Sequence, residues 1–135
     1  VISGILEASA DKARKAKALV LQPAYYDEFL REFLLKNGYC IETEALAMDG
    51  GKIYTVIRAY YDGIVRSDDD LYYHIGRALF ENNDPLLNEF LQRRIRIQTN
   101  IVNGMKKSAK VDEQTYMKEY NLLEEMKRAY NEFFG

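Results

Sequence analysis

One cysteine, one histidine and two prolines among 135 residues leave several kinds of protein without their usual parts. Cys40 alone cannot build an internal disulfide framework or a multi-cysteine zinc site. His74, the single imidazole, gives a histidine metal centre or a Ser-His-Asp triad too little to work with, so no metal site is expected. Both read as ordinary side chains, a packed thiol and a helix-surface histidine. Long apolar runs are missing as well. A stretch such as Ala18 to Leu21 falls far short of the roughly 20 residues a membrane-spanning helix needs, so the chain is not expected to cross a bilayer. Without a basic leader, a secretory apolar core or a cleavage motif, a cytoplasmic location is the expectation. The chain starts at Val1 with no initiator methionine, which points to a piece of something longer. What is present is 47% hydrophobic, 30% charged and 13% aromatic, the composition of a chain that folds.

Charge divides the sequence better than its net value of −2 does. Val1 to Tyr61 holds 8 basic and 8 acidic residues, Asp62 to Asp70 holds 1 and 4, and Leu71 to Gly135 holds 10 and 9. The acidic middle marks a boundary, giving expected domains over 1–62 and 63–135. In the first, Ile2, Ile5 and Leu6 lead into Ala8, Ala10 and Ala13, a helix. Lys17 to Pro23 is a short apolar run closed by proline and reads as a strand buried on both faces and parallel to its neighbours. Phe29, Leu30, Phe33 and Leu34 predict a helix with Asn37 and Gly38 as its left-handed cap. Tyr39 to Met48 and Lys52 to Tyr61 flank Asp49, Gly50 and Gly51 as a hairpin, the second arm alternating Ile53, Thr55 and Ile57 with Tyr54, Val56 and Arg58. An apolar first strand needs more sheet beside it, from an N-terminal segment or a second chain covering Lys17 to Pro23.

The second part reads as helical. Ser67 is the expected N-cap, with Asp68, Asp69 and Asp70 in the first turn of a helix carrying Leu71, Ile75 and Leu79 through Glu81. Asn83 and Asp84 with Pro85 at the first helical position open a long helix with an apolar stripe of Leu86, Leu87, Phe90, Leu91, Ile95, Ile101, Val102 and Met105, ending near Lys107. Asp112 caps a last helix in which Tyr116, Tyr120, Leu123, Met126, Tyr130 and Phe133 recur at helical steps, so the two helices form an antiparallel hairpin.

No glycine-rich phosphate cradle follows a strand. Glu42 and Glu44, two apart on one strand face, read as a solvated face or, given further ligands, as an acid-base or metal pair. The strongest feature is Phe90 to Val111, which carries Arg93, Arg94, Arg96, Lys106, Lys107 and Lys110 and no acidic residue. Arg93, Arg96, Asn100, Asn103 and Lys107 fall on one helical stripe opposite Leu91, Ile95 and Val102. Such a stripe is either a solubilising face or a surface for a phosphate backbone.

Leu19 to Pro23 (LVLQP), Arg31-Glu32-Phe33-Leu34, Gly38-Tyr39, Glu44 and the turn Gly51-Lys52-Ile53-Tyr54 together resemble the C-terminal half of the bacterial tRNA adenine-N1 methyltransferases that modify adenine 22. Gly76, Asn83, Phe90-Leu91 and the two-helix hairpin have counterparts there too. The resemblance implies an α/β plus all-α fold: the C-terminal part of a doubly wound class I methyltransferase sheet, followed by a helical, coiled-coil-like hairpin domain. It implies S-adenosylmethionine as cofactor of the complete enzyme, with no cofactor residue in this chain, which alone would be inactive. The catalytic residues are not assigned. Gln22 and Pro23 match the family pattern at the active-site rim. The implied partners are tRNA, bound through Arg93, Arg94, Arg96, Asn100, Lys106, Lys107 and Lys110, and the cofactor-binding half or another chain beside Lys17 to Pro23. A non-catalytic RNA-binding or protein-interaction module is the alternative.

Overall fold

The computed structural model describes residues 4, 9–23 and 27–135. Two compact units divide it, Val1–Pro85 and Leu86–Gly135. The division lies beyond the boundary expected at Asp62, because 63–85 folds back onto the first unit.

In the first unit the elements are α1 (Ala10–Lys15), β1 (Leu19–Leu21), α2 (Asp27–Lys36), β2 (Tyr39–Asp49), β3 (Lys52–Tyr61), α3 (Asp70–His74) and α4 (Arg77–Glu81). The expected helix around Ile2, Ile5 and Leu6 lies mostly outside the described residues; Ala10 and Ala13, also expected in it, fall in α1, which begins after Ser9. The sheet order is β1-β3-β2. β2 and β3 form the expected hairpin, with Asp49 opposite Lys52 and with Gly50 (φ 57°) and Gly51 (φ 79°) taking the left-handed turn that only glycine adopts without strain. α2 ends as expected at Gly38, whose φ is 86°.

β1 departs from its expectation. It is three residues long and antiparallel to β3, with Leu19 opposite Ala59 and Leu21 opposite Ile57. Among the described residues one of its faces is covered: Leu19 and Leu21 pack on the core while Val20 is 65% exposed, so the strand alternates in and out instead of being buried on both faces. That core joins Ala13, Leu30, Leu34, Tyr39, Ile57 and Ala59. Full burial of Leu34 and Ile57 contributes about 1.5–3 kcal/mol each. Phe29, expected on the packed face of α2, is 64% exposed.

The stretch after β3 also differs. Instead of one helix over Leu71 to Glu81 there are two short ones, interrupted at Ile75 and Gly76. Ser67 is not a cap; the residue before α3 is Asp69, whose side chain makes no capping bond. Asp68 instead receives Arg77 Nη2 at 2.6 Å. Asp84 accepts from the Leu46 amide at 3.0 Å, and Pro85 precedes the next helix, which begins at Leu87.

The second unit consists of α5 (Leu87–Lys106) and α6 (Glu113–Phe134). Gln92 meets Tyr130 and Gln98 meets Glu119, so the helices run antiparallel. Their interface buries Leu87, Leu91 and Val102 of α5 with Leu122, Leu123 and Met126 of α6. Asp112 caps α6 as expected, accepting from the Thr115 amide at 2.7 Å. Ile101 is 40% exposed, off the expected stripe, and its place is taken by Gln98, which is 3% exposed and donates to the Glu119 carbonyl and carboxylate.

Candidate functional site

Two places in the described structure concentrate charge. The first lies within the sheet unit. Asp27 and Arg31 stand one turn apart on α2, and Glu44 projects from β2 toward them. Arg31 is 1% exposed. Its Nε lies 3.1 Å from both Glu44 oxygens, and Nη2 is 2.8 Å from Oε1 and 3.1 Å from Asp27 Oδ2. Nη1 donates to the carbonyls of Tyr73 (2.8 Å) and His74 (3.1 Å) at the end of α3. Thr55 Oγ1 adds a bond to Asp27 Oδ2 at 3.2 Å. Burial disfavours the cation, but the carboxylates of Glu44 and Asp27 outweigh it and hold the guanidinium above its ordinary pKa. Gly76 closes the arrangement, since a Cβ there would lie 2.0 Å from Glu44 Oε2. With every guanidinium N–H engaged, the cluster is a fixed structural lock tying the segment after the sheet to α2 and β2.

This overturns the solvated-face reading of Glu42 and Glu44. The pairing slips between Ile41 and Thr43, where an extra residue forms a bulge. Past the bulge the faces exchange, so Glu44 is buried at 3% exposure. Glu42 stays outside, paired with Arg58 Nε at 2.8 Å. The sequence holds Arg31, Glu44 and Gly76 only as separate points of a family resemblance; an aspartate and an arginine four residues apart on one helix face, with Leu30 and Leu34 beside them, are the available signal for a buried pair. Among the described residues no group of three or more His, Cys, Asp or Glu is placed to hold a metal ion. Gln22 and Pro23 directly follow β1, the first exposed and the second buried.

The second place is the outward face of α5. Arg96, Asn100 and Lys107 are exposed and Arg93 is half-buried, on the side opposite buried Leu91, Gln98 and Val102. Arg93 reaches back to Glu89 at 3.2 Å, an i,i+4 pair of the kind that stabilises a helix weakly. Arg94 is half-buried on a different side of the helix from this stripe. Lys106 closes α5, and Lys110 lies in the exposed connection to α6. The stripe expected from the spacing is therefore on one helix surface, whereas Arg94, Lys106 and Lys110 are not all part of it. A surface of cations and amides can neutralise and hydrogen-bond phosphate and sugar oxygens.

Comparison with solved structures gives the class of fold. Over 96% of this chain and 56% of the other, Sp1610 of Streptococcus pneumoniae superposes with a TM-score of 0.76 at 18% identity. TrmK of M. capricolum, solved with S-adenosyl-homocysteine, gives 0.66 at 18% identity over 97% of this chain and 57% of that one. These solved structures share the α/β and helical fold of this chain over nearly its whole length. The tRNA (adenine(22)-N(1))-methyltransferase family matches residues 1–129, and the chain belongs to that family. The tRNA (adenine(22)-N(1))-methyltransferase of Bacillus subtilis is 37% identical over 71 residues, 47% of this chain and 30% of that protein. The chain thus spans little more than half the length of its solved relatives and less of the curated one. Among the described residues, no helix is long and apolar enough to cross a membrane.

Proposed function

We propose that this chain is the C-terminal portion of an S-adenosylmethionine-dependent tRNA adenine-N1 methyltransferase, and that its helical unit holds the tRNA. Family membership favours this over the non-catalytic module. The first unit supplies the end of the doubly wound sheet, and α5 with α6 forms the coiled-coil-like hairpin domain. The observation that carries the RNA reading is the stripe of Arg93, Arg96, Asn100 and Lys107, set opposite the packed side of α5 in a chain that is acidic overall. Lys106 and Lys110 extend the positive charge toward the connection between the helices.

The chemistry is transfer of a methyl group from a sulfonium to the N1 lone pair of adenine. N1 lies on the pairing edge, so the base leaves its stack before it reacts, at a cost of a few kcal/mol. Grip on the surrounding phosphates offsets that cost, and this is the task of the cationic face. The cofactor supplies the methyl group when bound. The described residues do not fit its cradle: β1 runs into Gln22 and Pro23, not a glycine-rich turn, and Gly50 and Gly51 are spent in a hairpin. No step is therefore routed through it here, and the chain alone is inactive in this reading. Gln22, exposed beside buried Pro23, remains the proposed active-site rim.

Salt dependence tests the proposal. Each phosphate contact adds about 0.7–0.9 to the slope of log affinity against log salt. Replacing Arg93, Arg96 and Lys107 by glutamine in the complete protein is expected to flatten the slope for tRNA by about two to three units, with little change in turnover at saturating tRNA. An unchanged slope would mean that the stripe only keeps the helix soluble.

A further inference from the structure

Between α5 and α6 lies an open groove of about 700 Å³, within the range that holds small organic ligands. From α5 it is lined by Gln92, Arg96 and Asn100, and from α6 by Lys127, Tyr130 and Asn131. Ile95 supplies apolar surface, and no acidic side chain takes part in the lining. Two of these residues, Arg96 and Asn100, also belong to the outward stripe, so the groove and the stripe are continuous.

The chemistry of the lining is selective. Asn100 and Asn131, one on each helix, are exposed amides whose side chains make no hydrogen bond with any described residue. Each offers a donor and an acceptor together, the pattern that matches the edge of an unpaired nucleobase. Tyr130 is held ready. Its hydroxyl accepts from Gln92 Nε2 at 2.9 Å and donates to Asn88 Oδ1 at 3.2 Å, which fixes an aromatic ring beside the amides. A base stacking on a prearranged ring loses little further side-chain entropy. Arg96 and Lys127 flank the amides with positive charge; among the described residues Lys127 has a long 3.7 Å contact with Glu124, both side chains being largely exposed. Such a pair leaves the ammonium available to phosphate.

We infer that the groove between α5 and α6 receives one unpaired nucleotide of the bound RNA, its base between Asn100, Asn131 and Tyr130 and its phosphate near Arg96 and Lys127. The inference rests on the RNA-binding reading of α5 and adds α6 to the site. It gives the helical unit a means of preferring RNA with an unstacked base over a continuous duplex, which phosphate contacts alone do not provide.

The test uses the complete protein, labelled tRNA, and two unlabelled competitors of equal length, a single-stranded RNA and a fully paired RNA hairpin. The unaltered protein is expected to be displaced more readily by the single strand. In the double variant Lys127→Gln and Asn131→Ala, tRNA affinity is expected to fall about tenfold and the single-strand preference to vanish. Asn131→Gln, which keeps the amide, should retain much of the preference, and thermal melting should stay near the parent because both positions are exposed. A double variant that keeps the single-strand preference overturns the groove, even where the Arg93, Arg96 and Lys107 variant flattens the salt slope and so supports the RNA face. If that triple variant leaves the slope unchanged, the RNA reading fails and the groove inference with it.

Discussion

Arg31 has five N–H groups, and the oxygens of Glu44, Asp27, Tyr73 and His74 surround all of them. The value of this cluster lies less in the attraction between its charges than in the cost of orphaning one of them. Arg31→Met should lower the unfolding free energy by about 3–5 kcal/mol in urea denaturation, because Glu44 then keeps its burial without its partner. Adding Glu44→Leu should recover part of the loss, since it removes the more deeply buried carboxylate and leaves Asp27 with its bond from Thr55. If the single variant unfolds like the parent, the lock holds nothing. Gly76→Ala belongs to the same cluster and has no room beside the Glu44 carboxylate. Residue types alone could not disclose this, because the partners lie on three elements whose meeting depends on the fold. The cationic face was legible for the opposite reason: its residues share one helix, and helical spacing alone puts them together.

The elements written in local chemistry were the ones the sequence carried openly. Two glycines made the hairpin turn, Gly38 ended α2, and Asp112 capped α6. The cap also predicts a pH response. The Thr115 amide favours the ionised Asp112 carboxylate and lowers its pKa from the ordinary 3.8. Its contribution is therefore fully present above the unfolded-chain value and is lost as pH falls through the lower folded value. Asp62 behaves alike, held at about 2 by hydrogen bonds from Arg66 and the Ile64 amide. Asp112→Ala and Asp62→Asn should each lower the melting temperature near neutrality and reduce the further loss on acidification. Circular dichroism melts from neutral to strongly acid buffer check this; an acid limb unchanged in both variants would contradict it. Elements set by long-range contacts were read less well. Asp84 meets a sheet amide far away in sequence, and the run from Leu71 to Glu81 breaks where Gly76 approaches Glu44.

On the scale of the whole molecule, an even charge count hides an uneven distribution. A net charge of −2 would not suggest a polyanionic partner, whereas the acid-free interval of α5 does. The boundary expected at Asp62 differs from the division after Pro85 for a related reason. The acidic run beginning at Asp62 marks a boundary by composition, whereas Arg66 and Arg77 neutralise part of it and 63–85 belongs to the sheet unit. The bulge in β2 has a consequence for insertions and deletions in the coding sequence. Ile41 opposite Ala59 and Thr43 opposite Arg58 would remain in register if residue 42 were removed, so β2 can lose one residue there and still turn Tyr39, Ile41, Glu44 and Leu46 toward the core. Loss of Ala45 has no such remedy: keeping Leu46 opposite Thr55 would turn Glu44 outward and leave Arg31 without its main partner. Two deletions of the same size, three positions apart, should thus differ sharply in the yield of folded protein, the first being tolerated and the second not.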